Sequence, residues 1–403
     1  MDGFRLPLAA LPLCESLKLV KFLDQLQAIM NINRRQWLKG ASLAGAAGLL
    51  GTSALGTSLT EEETRRFYPR PMGKPVRLSS NENPYGPSEQ VRKAMTRAFD
   101  VSCRYPGSYS MNLHEQIAKK EGVTVDHICV TGGSTEGLKV VGLTYGKDGG
   151  EIIAAKPTFL AMMTYAQQWG GTVNWVPLDD KLMHDTNEME KRISSKTKLI
   201  FLCNPNNPTS TLLPRDVLRD FCETASKKTL VFSDEAYYDF IEEENYPSMV
   251  ELVKQDANVI VSRTFSKVYG LAGLRIGYMV AKPEIVREMR KNIMAFTNML
   301  AIAAAEESLK DEEFYRFSLN KTIEGKRMIY DTLDKLGLEY VQSQTNFIFF
   351  KSGMPIARLQ EKMKDQGVLI GRPFPPFDEW CRISTGTLEE VQLFNKGLTA
   401  VLG

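Results

Sequence analysis

One lysine, Lys267, stands between the hydroxyls of Thr264 and Ser266, with Gly270 and Gly273 behind it and Arg275 eight residues on. Such a set suits covalent amine chemistry. The lysine amine can form a Schiff base with a carbonyl, while the two hydroxyls and the guanidinium can hold a phosphate beside it. The glycines allow a tight turn and a close approach of backbone to ligand. A lone Ser-Lys pair would carry little information. The weight lies in the whole string from Ser262 to Tyr278, SRTFSKVYGLAGLRIGY.

Elements able to position this string can be read on either side of it. Ser88 can cap a helix running through Phe99, and Leu113, Ile117 and Ala118 mark one face of another that stops at Gly122. Short apolar or β-branched runs follow at Ile128–Thr131, Glu151–Ala155, Thr172–Val176, Leu199–Cys203, Thr229–Phe232 and Asn258–Ser262. Helical stretches fall between several of them, at 135–145, 159–168 and 214–226. Strands apolar on both faces that alternate with helices predict an α/β fold with a mostly parallel, helix-covered sheet. Beyond 283 the character changes to helices at Pro283–Lys291, through Ala301–Leu309 and at Asn320–Leu336. Short strands at Asn346–Phe350, Val368–Ile370 and Arg382–Ser384, with a helix near 355–366, complete a compact α+β end. The expected organisation is an N-terminal extension over 1–59, a linker and arm over 60–105, a large domain over 106–295 and a smaller C-terminal domain over 296–403.

The polar motifs share one place in that pattern. Gly132-Gly-Ser-Thr-Glu136, Asn204-Pro-Asn-Asn-Pro-Thr209, Ser233-Asp-Glu-Ala-Tyr237 and Thr264 to Lys267 each follow an expected strand. Ligands of open α/β sheets bind beyond the carboxyl ends of strands, so four motifs at four such ends imply one shared site. Gly133, Ser134 and Thr135 open a helix, where backbone N–H groups and hydroxyls can meet a phosphate. Asp234 ends a buried strand, where a carboxylate is costly unless paired; beside a pyridine ring it would keep the ring nitrogen protonated. Arg382, in Cys-Arg-Ile-Ser-Thr-Gly-Thr387, suits a carboxylate or equally a phosphate. Arg372, ahead of Pro-Phe-Pro-Pro-Phe377, is a second candidate or a plain surface arginine.

In this order, over about residues 76–400, the motifs resemble the class I and II (fold type I) pyridoxal-phosphate aminotransferases, and within them the histidinol-phosphate aminotransferase branch. The resemblance implies a fold type I transferase with pyridoxal 5′-phosphate on Lys267. It implies Asp234 on the pyridinium nitrogen, Tyr237 and Asn207 on the ring's phenolic oxygen, and Phe159 stacked on the ring. Gly133, Ser134, Thr135, Thr264, Ser266 and Arg275 would form the phosphate cup. Tyr105, in Arg-Tyr-Pro, matches a tyrosine that reaches the phosphate from the neighbouring subunit, which implies a homodimer with shared sites. Arg382 matches the substrate-anion arginine, and Asn81-Glu-Asn-Pro-Tyr-Gly86 matches an arm that closes over the substrate, with Tyr85 lining it. The family usually has Gly where this chain has Ser210, so the turn after Asn207 is where a departure is expected.

The implied reaction moves an amino group between a small amino donor, an amino acid or histidinol phosphate, and a 2-oxo acid acceptor, in ping-pong fashion. A lyase or decarboxylase of the same fold would keep every cofactor residue. A cofactor-binding carrier or sensor without turnover is a third reading, against which intact Lys267, Asp234, Tyr237 and Arg382 count. The donor stays open between histidinol phosphate and an aromatic or other amino acid.

At 403 residues the chain exceeds the usual single-domain size. A net charge of +2 leaves no basic field to attract nucleic acid. Six cysteines without a CxxC pair and three dispersed histidines argue against a metal site or a disulfide scaffold. Near the start, Asn33-Arg-Arg-Gln-Trp-Leu-Lys-Gly40 precedes an uncharged Gly/Ala-rich run from Ala41 to Leu59. Paired arginines before such a run resemble a twin-arginine export signal, and the run makes a poor membrane-spanning helix. Because a signal should begin the chain, Met30 is the expected initiator. A periplasmic or otherwise exported location follows, with the cytoplasm as the alternative.

Overall fold

The computed structural model describes residues 75–403. The export signal, the start at Met30 and the linker up to residue 74 lie outside the described residues. The described chain opens with a two-residue strand, β1 (Val76–Arg77), and a helix at Glu89–Ala98 whose first turn is capped by Ser88, the Ser88 hydroxyl accepting from Val91 N–H.

The central sheet comprises β2 (Ile128–Thr131), β3 (Glu151–Lys156), β4 (Thr172–Pro177), β5 (Thr197–Cys203), β6 (Leu230–Asp234), β7 (Val259–Thr264) and β8 (Gly277–Ala281), in the order β2-β8-β7-β6-β5-β3-β4. All neighbouring pairs among β4, β3, β5, β6 and β7 are parallel, and β8 runs antiparallel to both β7 and β2. Residues alternate between two apolar layers. Ile200, Val231 and Val259 face one, and Phe201, Phe232 and Ile260 the other, with helices covering both. Phe201 and Phe232 stack at 5.7 Å between ring centres. Burial on both faces accounts for continuous apolar runs rather than alternating ones.

β8 was not expected from the sequence. Its five residues, Gly-Tyr-Met-Val-Ala, are all buried and so carry no alternation, and its first residue belongs to the glycine-bearing string around Lys267. Unforeseen helices include Thr186–Lys191 and the C-terminal Leu388–Leu402. The second is fixed by a capping box, in which the Thr387 hydroxyl accepts from Glu390 N–H and the Glu390 carboxylate accepts from Thr387 N–H.

A third apolar cluster lies apart from the sheet. It joins Val76 and Leu78 to Ile329 and Leu333 of the helix Glu312–Lys335, to β9 (Phe347–Lys351), and to Val368 of β10 (Val368–Leu369). β1 pairs parallel with β10, and β9 pairs antiparallel with β11 (Trp380–Ser384). The chain just after Leu78 therefore leaves this cluster and passes directly over the carboxyl ends of the central strands.

Strand ends β6 and β7 are pinned by a buried ion pair. Arg263 and Glu235 meet at 2.8 Å with both side chains under 10% exposed. The Glu235 carboxylate also accepts from Met249 N–H and the Ser248 hydroxyl, and the Arg263 guanidinium lies 4.0 Å from the Tyr238 ring centre. Removing one partner of a buried pair leaves an uncompensated charge. Arg263→Met is expected to lose about 3–5 kcal/mol of stability in denaturant unfolding, and Glu235→Gln added to it should recover most of that loss. A double variant as unstable as the single one would show that packing, not charge, is what Arg263 supplies.

Candidate active site

The strand ends, the Ser80–Glu82 segment and β11 line a cavity of about 330 Å³. Asp234 forms its floor as the last residue of β6. It is 2% exposed, and the polar contact it makes is a 3.3 Å bond accepted from Ala236 N–H. Burial pushes its carboxyl up to about 7, against the lowering pull of that N–H and of Lys267.

Lys267 follows β7 on a turn closed by Gly270 N–H donating to Lys267 C=O. Its side chain faces the cavity. The amine donates to Asn81 C=O at 2.9 Å and lies 5.3 Å from the Tyr237 ring centre. Burial, with Arg382 nearby, lowers the ammonium to about 8, while Glu82 and Asp234 pull the other way.

One wall is built to hold an anion. The helix Ser134–Gly146 points its N-terminus at the cavity, and Ser134 and Thr135 line it with Thr264, Ser266 and Arg275. Gly133 has φ of +80°, and a Cβ there would stand 2.3 Å from the Arg275 guanidinium. A Cβ on Gly277 would stand 2.7 Å from Ser134 N, so antiparallel β8 can begin only with glycine so close to the helix. Arg275 itself takes a left-handed backbone, φ 57°, and donates to Ala272 C=O at 2.7 Å and weakly to Ser266 Oγ at 3.4 Å. Strain of this kind persists where the surroundings over-determine the residue.

The opposite wall carries Tyr237, Asn207 and Arg382. Asn81 Nδ2 and Asn207 Nδ2 both donate to the Tyr237 hydroxyl, at 2.9 and 3.3 Å. Arg382 donates to Asn207 Oδ1 and to Ser79 C=O, each at 2.7 Å, and its Nε is buried with no partner among the described residues. Phe159 lines the cavity as well.

Among the residues singled out from sequence, the cavity thus collects Lys267, Asp234, Tyr237, Ser134, Thr135, Phe159, Asn207, Thr264, Ser266, Arg275 and Arg382, while Gly133 supports its wall. Three others lie off the lining. Tyr85 packs edge-on against Phe317 at 5.0 Å, and Tyr105 is 86% exposed beside Phe296. Arg372 sits over Phe374 and donates to Pro373 C=O. The turn after Asn207 keeps a positive φ although serine occupies it. Ser210 has φ 60°, is buried, and donates through its hydroxyl to Thr209 C=O. Sequence reasoning missed Ser80, Asn81, Glu82 and Cys203 as lining residues. In the string Asn81 to Gly86 the sequence points to the tyrosine, not to the asparagine that reaches the cavity.

The donor set suits one kind of molecule: a phosphate at the helix end, a basic ring nitrogen against Asp234, and a carbonyl within reach of Lys267. Residues 73–396 match the family described as Aminotransferase class I and II. The chain belongs to that family. Its members depend on pyridoxal phosphate, and the donor set of this aminotransferase fits that cofactor. Histidinol-phosphate aminotransferase of Moorella thermoacetica is 38% identical over 331 residues, covering 81% of this chain and 85% of the relative. Histidinol-phosphate aminotransferase 1 of Bacillus cereus is 35% identical over 332 residues, covering 82% and 89%. The structure of histidinol-phosphate aminotransferase from Sinorhizobium meliloti, in complex with pyridoxal-5′-phosphate, superposes with a TM-score of 0.76 at 25% identity, covering 87% of this chain and 95% of that one. Among the described residues of the aminotransferase, no helix is long and apolar enough to cross a membrane.

The raised Asp234 carboxyl has a consequence for the cofactor-free protein. A group held above its unfolded pKa costs stability as pH rises from the unfolded value towards the folded one, near 7. Asp234→Asn should therefore raise the melting temperature of cofactor-free protein at pH 8, with a gain that shrinks on acidification to pH 4. Thermal scans across that range check it, and a pH-independent gain would show that the amide acts by hydrogen bonding instead.

Proposed function

We propose that this aminotransferase takes the amino group of histidinol phosphate and passes it to a 2-oxo acid. The carrying observation is Arg382. Its guanidinium is half-buried on the lining of the same cavity as the Lys267 amine; Nη1 donates to Asn207 Oδ1 and Nη2 to Ser79 C=O, and each keeps a second N–H. A half-buried guanidinium with N–H donors to spare on the cavity lining suits an anionic substrate end. The names of the relatives at 38% and 35% identity support a phosphate as that end.

Pyridoxal phosphate, when bound, supplies an aldehyde carbon for amine exchange and a ring that accepts electrons from the substrate's Cα–H bond. Ser134, Thr135, Thr264, Ser266 and Arg275 would bind its phosphate, and Phe159 would pack on its ring. Asp234 would keep a proton on the ring nitrogen, since a buried carboxylate is stabilised by a cation against it. Lys267, with its ammonium near 8, is deprotonated in an appreciable fraction of molecules at neutral pH and can lift a proton from the substrate α-carbon. Arg382 orients the substrate so that this bond faces Lys267.

The assembly proposed is a homodimer with shared sites. Tyr105 and Phe296 support it, being 86% and 75% exposed and set ring against ring at 6.3 Å. Export through the twin-arginine route is proposed from Arg34 and Arg35. Arg34→Lys with Arg35→Lys should leave the precursor in the cytoplasm with its cofactor bound, and unchanged periplasmic localisation by fractionation would contradict this.

Two outcomes test the chemistry. Lys267→Ala should lose the borohydride-fixable cofactor adduct, and a conjugate persisting in that variant would move the lysine role elsewhere. In a half-reaction screen over a panel of amines, histidinol phosphate should react fastest, and Arg382→Ala should lower the specificity constant roughly tenfold to a hundredfold for every anionic donor. Arg372→Ala should affect only donors with a particular second group. Equal, substrate-independent losses at both arginines would displace the anion site.

A further inference from the structure

Asn81 has each of its polar atoms engaged at the centre of the site. It is 1% exposed and takes a left-handed backbone, φ 53°, a conformation asparagine tolerates better than most residues. Its N–H donates to Ser384 Oγ at 2.8 Å, so the Ser384 proton turns to Asn81 Oδ1 at 3.0 Å. Its carbonyl accepts from Lys267 Nζ at 2.9 Å and from Asn346 Nδ2 at 3.2 Å. Its Nδ2 is left for the Tyr237 hydroxyl at 2.9 Å.

The second donor to that hydroxyl is fixed in the same way. Asn207 Oδ1 accepts from Arg382, which leaves Asn207 Nδ2 to face Tyr237 at 3.3 Å. A phenol oxygen has two lone pairs and one proton. With both pairs taken by amides, the Tyr237 proton has one direction remaining, into the cavity.

We propose that Asn81 is a positioning residue of the reaction: through its side-chain amide it makes Tyr237 a proton donor into the cavity, and through its carbonyl it holds the Lys267 amine when that amine is not covalently engaged. The inference rests on the functional reading above. Donation into the phenol oxygen polarises its O–H bond and strengthens what Tyr237 donates to the ring oxygen of the cofactor. Without it, the ring oxygen of a bound cofactor would carry more negative charge, and the Lys267 nitrogen would hold its proton more tightly.

The test is the pH midpoint of the absorbance change of the loaded, substrate-free protein. Asn81→Gly removes the amide yet keeps the carbonyl and the left-handed backbone. It should raise the midpoint by roughly one pH unit, in the same direction as Tyr237→Phe. Added to Tyr237→Phe, it should produce little further shift. Ser384→Ala, off the cavity lining, should move the midpoint the same way by a smaller amount, and it serves should Asn81→Gly fail to fold. In Asn81→Gly, kcat should fall while KM for donor and acceptor stays near that of the unsubstituted protein. An unmoved midpoint, a full shift persisting in the Tyr237→Phe background, or a raised KM with kcat intact would each overturn the role of Asn81. Absence of the borohydride-fixable adduct on Lys267 in the unsubstituted protein would overturn the functional reading itself, and this inference with it.

Discussion

The burial of Asp234 is the constraint around which the site is arranged. A carboxyl in that position has traded water for one 3.3 Å backbone N–H and is pushed up to about 7. Its ionised form is stable only when a cation faces it across the cavity. Lys267 carries the mirror-image penalty, its ammonium lowered to about 8 in the same space, with no ion pair between the two. Each group is thus held away from its ordinary protonation by the protein. A ligand with a basic ring nitrogen and an amine-reactive carbon relieves both penalties at once. Affinity for such a ligand and tension in the cofactor-free fold have one source.

Holding those two groups apart but in one cavity falls to neighbouring parallel strands. β5, β6 and β7 end together, Cys203 in register with Asp234 and Asp234 with Ser262, so consecutive strands deliver Asn207, Asp234 and Lys267 to the same edge. Alternation along a strand then sends the next residues to the other face. Glu235 and Arg263 meet there as a closed ion pair, while Asp234 and Thr264 turn to the cavity. Two acids adjacent in sequence therefore differ in function because they differ in partner. Glu235 has a guanidinium, a hydroxyl and an N–H, and Asp234 has been left short of partners.

Much of this was legible in the sequence because it is local. Apolar runs between turn residues mark the parallel strands, and each motif sits where such a run ends. What escaped detection depends on contacts between distant segments. β8 is a strand because it lies antiparallel between β2 and β7, and its glycine-initiated, wholly buried stretch carries no period of its own. Asn81 and Ser384 are 303 residues apart, so nothing near either shows that one caps the other. In the arm, the aromatic residue is what the sequence makes conspicuous. Tyr85 instead packs on Phe317, and the small polar residues ahead of it reach the cavity.

That arrangement makes the segment after β1 part of both the third apolar cluster and the strand-end site. Val76 and Leu78 are buried in the cluster built on β9, β11 and the helix Glu312–Lys335, while Asn81, three residues on, bonds Tyr237 and Lys267 at the ends of the central strands. Asn83 continues the link, donating to Val268 C=O and to Ser318 Oγ. Gly86 then meets Gly270 so closely that a Cβ on Gly270 would stand 2.6 Å from its carbonyl. A shift of the smaller cluster against the sheet would therefore be felt first at the Lys267 amine and the Tyr237 hydroxyl. Arg382, on β11 of that cluster, would move with it. Arg382 and Lys267 are thus joined by one short stretch of backbone, Ser79 C=O accepting from the guanidinium and Asn81 C=O, two residues on, from the lysine amine.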